Sequence, residues 1–149
     1  MGDLVTFRER AKGWVLREYK AEQEEIKHIA KLQRAYSTGD LNRFVKEAKR
    51  AKNLIRRRER RFTFRLIVYA KRAKITVFGN TIDVFEKELL EMHNRLYHLL
   101  DEFSHEETIS KIDTPEKVQT AIDIEDKILE RVRALTLEIG KSNSKARAA

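Results

Sequence analysis

Residues 53–78 read NLIRRRERRFTFRLIVYAKRAKITVF, and the fold turns on how the second half of this stretch is read. FTFRLIVY and KITVF are rich in β-branched and aromatic residues, the composition of strands, and together they would make a hairpin over 62–78. The intervening AKRA holds no Gly, Asn or Asp, the residues that a tight hairpin turn requires. At helical spacing, Phe62, Leu66, Tyr69 and Ala73 instead extend an apolar stripe begun by Leu41, Phe44, Val45, Ala48, Ala51 and Ile55. The spacing predicts one helix over 40–74, with the hairpin as its alternative.

The same period continues on both sides. Leu4, Phe7, Ala11, Trp14, Val15, Tyr19, Ile26, Ile29, Leu32 and Tyr36 predict a helix over 3–37, weakest at the polar residues 22–25. Ser37-Thr38-Gly39-Asp40 then offers a stop glycine and an N-cap aspartate within one corner. Beyond Gly79-Asn80-Thr81, Ile82, Phe85, Leu89, Met92, Leu96, Leu99 and Phe103 predict a helix over 81–105. Thr114-Pro115-Glu116 has the N-cap, N1 proline and acid of a helix start. From there Val118, Ala121, Ile124, Ile128, Val132, Leu135 and Ile139 carry a stripe over 114–139, stopped by Gly140. The expected class is all-α: an elongated antiparallel four-helix arrangement of two helical hairpins, forming one domain over 1–139. Residues 140–149 have nothing to bury and are expected to form a disordered basic tail. The first two helices, roughly 50 Å long against roughly 39 Å for the later pair, are expected to project or to meet a partner.

Composition removes several classes of function. The 149 residues include no cysteine, so neither disulfides nor a thiolate metal site can form. The longest apolar run, Leu66 to Ala70, is too short for a bilayer, and the start of the chain has no apolar h-region. Met1 to Thr6 match the loose myristoylation pattern, which is too short to carry weight. A soluble, cytoplasmic protein is expected.

There is no Gly-rich phosphate loop, nucleophile elbow or cysteine nucleophile, so no enzyme is expected. Two Glu-x-x-His spacings, Glu25/His28 and Glu102/His105, match the motif of di-iron carboxylate bundles. Glu25 and His28, together with Glu18, fall close to the inward face of their helix, whereas Glu102 and His105 sit beside their stripe and the would-be complements are poor. Glu125 and Glu130 flank their stripe, and Glu47 and Glu59 sit among cations. No metal and no cofactor are expected, with the histidines satisfied by water or neighbouring carboxylates.

Charge placement is the strongest functional signal. The net charge of +8 is the balance of a bipolar chain: residues 43–74 carry net +12 and residues 81–139 net −8. A helix so cationic repels itself at i, i+4, so counter-charge must lie near it in the working state. Phosphates supply this densely and release condensed counterions. The expected function is a non-enzymatic accessory or nucleoprotein subunit binding RNA or DNA. Arg56, Arg57, Arg58, Arg60, Arg61 and Arg65 are the expected contacts, within a wider footprint of Lys49, Arg50, Lys71, Arg72 and Lys74. Phe64, the aromatic residue clearly off the stripe, is placed to stack on a base. The alternative is a helical scaffold whose bipolar charge binds a second copy of itself or an acidic protein. A membrane-surface role is disfavoured because the apolar face is committed to a core.

Overall fold

The computed structural model describes residues 2–58, 63–109 and 114–148, with side chains for 10–56, 63–107, 109 and 114–142. The regular elements among them are helical: α1 Gly2–Ser37, α2 Leu41–Arg58, α3 Phe64–Arg72, α4 Ile82–Phe103, α5 Glu106–Ile109 and α6 Thr114–Ala148. No helix of the described residues is long and apolar enough to cross a membrane.

The α1–α2 corner forms as its residues dictate. Gly39 takes the left-handed conformation at φ 75°. The Asp40 amide reaches back to the Ala35 carbonyl at 3.0 Å and the Gly39 amide to Tyr36 at 3.2 Å, the paired bonds of a Schellman motif. The Asp40 carboxylate then accepts from the Arg43 amide at 3.2 Å and caps α2.

The expected single helix over 40–74 is recorded as two, α2 and α3, with residues 59–62 outside the described set. The hairpin alternative fails. Phe64 to Arg72 is helical because Leu66, Ile67, Tyr69 and Ala70 face the core together, a grouping that alternation along a strand would scatter over two faces. α3 ends in a second Schellman motif, with Ile75 bonded to Ala70 at 3.0 Å and Lys74 to Lys71 at 3.2 Å. Here a lysine, not a glycine, holds the left-handed position, at φ 54°. Val77 and Asn80 then pair across Phe78 and Gly79, both at positive φ, a reversal of the primed type that returns the chain into α4.

Two further expectations are corrected. α6 does not stop at Gly140, because a lone glycine inside a helix costs only about 1 kcal/mol. The helix passes through it to Ala148, taking in backbone expected to be a disordered tail. At 35 residues α6 nearly matches the 36 of α1, so the expected shortness of the later pair holds only for α4, with 22 residues.

Phe44, Leu32, Ile55, Leu66, Tyr69, Phe85, Leu89, Leu96, Leu100, Ile128 and Leu135 fill the core. The Phe44 ring packs on Tyr36 of α1 at 5.5 Å and on Phe103 of α4 at 5.3 Å, joining three helices at one level. Ion pairs mark neighbours and directions: Lys52–Asp101 and Lys71–Glu86 set α2 and α3 against α4. Lys117–Glu102 and Arg131–Glu88 run α6 antiparallel to α4.

The core seam of α1 departs from its apolar residues. Ala11, Val15, Glu18, Glu22, Glu25, Ile29, Leu32 and Tyr36 alternate steps of four and three without a miss. Glu18, Glu22 and Glu25 are 0%, 2% and 1% exposed, while Tyr19 and Ile26, expected inside, face outward.

Candidate nucleic-acid interface

α2 packs Phe44, Ala48, Ala51 and Ile55 inward, which turns its opposite side wholly to solvent. On that side stand Arg43, Lys46, Lys49, Arg50 and Arg56, all exposed. At about 100° per residue they fall within one arc of the helix of about 140°, and at 1.5 Å per residue the ladder runs about 20 Å. Among the described residues no ion pair reaches Arg43, Lys46, Lys49 or Arg56. Arg50 bonds the Glu47 carboxylate at 3.2 Å while staying half-exposed.

Glu47 anchors this ladder from beneath. It is 2% exposed and also meets His28 Nδ1 at 3.0 Å. Burial pushes its carboxyl up, but the His28 hydrogen bond and the charges of His28, Arg50 and Lys31 outweigh that and hold it below the usual glutamate value.

The cations toward α4 are arranged differently. Lys52 donates to Asp101 at 3.1 Å, and that hydrogen bond draws the aspartate below its ordinary range. Lys71 bridges Glu86 at 3.1 Å and Asp83 at 3.3 Å, which raise it above the ordinary lysine value. Arg65 lies over the Trp14 ring at 5.8 Å. Lys74 is exposed and forms no ion pair among the described residues. Of the other expected contacts, Arg72 is exposed and has an interaction partner. Arg57 and Arg58 lie on the α2 backbone with their side chains outside the described set, and Arg60 and Arg61 fall outside it entirely.

Where α2, α3 and α4 meet, a cavity of about 710 Å³ opens to solvent. Arg56, Thr63, Phe64 and Ile67 line one side, and Glu86, Leu89, Leu90, His93, Asn94 and Tyr97 of α4 the other. Phe64 is 54% exposed at the rim. The Tyr97 ring takes Lys52 at 5.8 Å and Arg56 at 5.9 Å. The expected stacking residue thus belongs to a pocket, and the ladder's last described cation belongs to it as well.

The histidine motifs go separate ways. His28 meets Glu47, Glu102 meets Lys117 at 2.9 Å, and His105 sits 3.7 Å from Asp101. No group of three or more His, Asp or Glu among the described residues is placed to hold a metal ion. Glu18 accepts from the buried Thr63 hydroxyl at 3.3 Å, and Glu22 lies 3.6 Å from Arg133. Glu18, Glu22, Glu25, His93 and Glu125 each have further interactions.

Arg43 and Lys46 were left out of the expected footprint although their spacing from Lys49 and Arg50 places them in it. Asn94 and Tyr97 carried no signal at all, because only the packing of α4 against α3 brings them to Arg56 and Phe64. No family model, curated protein or solved structure matches the chain.

Proposed function

We propose that this protein is a non-enzymatic nucleic-acid-binding accessory or nucleoprotein subunit that holds RNA or DNA phosphates on the outer face of α2. The supporting observation is the solvent-facing ladder Arg43, Lys46, Lys49, Arg50 and Arg56, which the acids of α4 leave largely uncompensated while they neutralise Lys52 and Lys71. About 20 Å of cations matches roughly six phosphates at about 3.4 Å of rise per strand position. Arginine suits forked contact with phosphate, which favours backbone-directed, sequence-tolerant binding. Arg57, Arg58, Arg60 and Arg61 belong to the proposal by charge and proximity in sequence.

The platform proposed is an antiparallel arrangement of four rods, α2 and α3 together making the second. A cytoplasmic setting, where polynucleotide is abundant, completes the reading. Anisotropy of labelled single-stranded RNA, duplex RNA and duplex DNA over a salt titration tests it. The expected result is a log–log slope of about −3.5 on single strands and about −4.5 on duplexes, since five ladder cations at about 0.7 or 0.9 counterions each act together. No binding at low salt overturns it.

A second reading is a self-associating scaffold, favoured by Leu16, Tyr19 and Ile26, which repeat on the outer face of α1, and by Leu137 on α6, all exposed. Light scattering after size exclusion separates the two: a defined oligomer that binds no polynucleotide selects the scaffold.

A further inference from the structure

We infer that the cavity between α3 and α4 is a subsite for one unpaired base of the bound strand; this rests on the phosphate-binding reading above. Three observations converge there. The cavity, about 710 Å³, is within the range that encloses a small organic ligand. Its walls combine an apolar slot, Ile67 and Leu89, with an exposed aromatic face, Phe64, at the mouth. Its polar groups suit a base and its phosphate. Asn94 offers an amide that both donates and accepts, the pairing a base edge requires. Arg56 lies over the Tyr97 ring at 5.9 Å and is exposed, which places its guanidinium beside the cavity for the phosphate of the same nucleotide.

Continuity with the ladder decides between a polynucleotide and a free small molecule. Arg56 is at once the last described rung on α2 and a wall of the cavity. A strand whose phosphates follow Arg43 to Arg56 delivers its next nucleotide to the cavity mouth. There Phe64 stacks on the base, a contact that tolerates any base because each has a π-face. A paired base cannot enter without leaving its duplex, so the subsite makes the protein prefer single strands or frayed ends.

The test is a set of short labelled single strands, each with one abasic position, measured against the full-length protein and its Phe64→Ala and Asn94→Ala variants. The expected result is that one abasic position lowers affinity about tenfold, that each variant lowers the intact strand's affinity to a similar degree, and that variant and abasic losses do not add. Equal binding of all abasic strands, with salt-dependent affinity intact, overturns the subsite and leaves the phosphate-binding reading standing. Failure of every strand to bind at low salt overturns both. Competition by a free nucleoside monophosphate as effective as that of the strand overturns the coupling between cavity and ladder. Circular dichroism melting of the two variants separates loss of binding from loss of fold.

Discussion

The first and second halves of the basic stretch hold similar side chains and meet different surroundings. On α2, Arg43, Lys46 and Lys49 are exposed and form no ion pair among the described residues. Near α3, Lys71 is held between Asp83 and Glu86, and Arg65 rests on Trp14. The difference comes from where α4 begins. Its first turns carry acids that lie against α3, while farther along it meets α2 with Tyr97, Asp101 and Phe103, the first two of which engage Lys52 and Arg56. Charge on a helix becomes a binding surface only where the fold withholds its own counter-charge. Surface ion pairs are each worth about 0–1 kcal/mol, yet occupying a cation in one still lowers its availability to phosphate.

That contrast breaks most visibly under charge reversal. Lys46→Glu, Lys49→Glu and Arg56→Glu together are expected to lower affinity for a short single strand by about 100-fold and to flatten its log–log salt slope by about two. Lys71→Glu, made in the compensated half, is expected to lower it by less than about threefold, since one partly occupied cation is lost. Anisotropy titrations over a salt series read both values. Equal losses from the two sets would mean that the compensation by α4 is irrelevant to binding.

A smaller effect lies under the ladder. Glu47 holds Arg50 on one side and His28 on the other. Removing its charge by Glu47→Gln is expected to lower unfolding free energy at neutral pH by about 1–3 kcal/mol, the cost of weakening a buried charge-assisted pair. The pH dependence has a definite sign. The folded-state value of Glu47 is below the ordinary 4.5. Its contribution is therefore complete above that ordinary value and is lost as pH falls through the folded-state value. Urea midpoints should separate wild type from variant near neutrality and converge as pH falls through the folded-state value. A gap that widens on acidification would contradict the charge pairing.

The helical class, the Gly39–Asp40 corner and the stripes of α4 and α6 were legible because each rests on local spacing. The inward seam of α1 was only half legible. Following apolar residues led to Tyr19 and Ile26, whereas holding the four–three alternation leads through Glu18, Glu22 and Glu25. A buried carboxylate is tolerated by what lies across the bundle, which no local period records. The break at Gly79 to Thr81 was legible, but the turns before it were hidden for a related reason: Lys74 and Phe78 take positive φ in positions where glycine or asparagine is the usual signal. Of the candidate site, the cations were legible from charge alone. The division between compensated and free cations was not, and neither was the cavity, since both depend on the placement of α4.

Lys74 offers the finest test of the comparison, because it belongs to the second half by sequence yet is exposed and forms no ion pair among the described residues. Its φ of 54° costs a side chain with a Cβ about 1–2 kcal/mol. Glycine removes that cost but loses about 0.5–1 kcal/mol through the freedom of its unfolded chain. Lys74→Gly is therefore expected to stabilise the fold by about 0.5–1 kcal/mol, read as a higher urea midpoint with an unchanged slope. Its effect on strand affinity then tells where the interface ends. If the surface is confined to α2 and the cavity mouth, affinity stays within about twofold while stability rises. If the strand continues along α3, the salt slope falls by about one despite the stabler fold, and Lys74 joins the ladder.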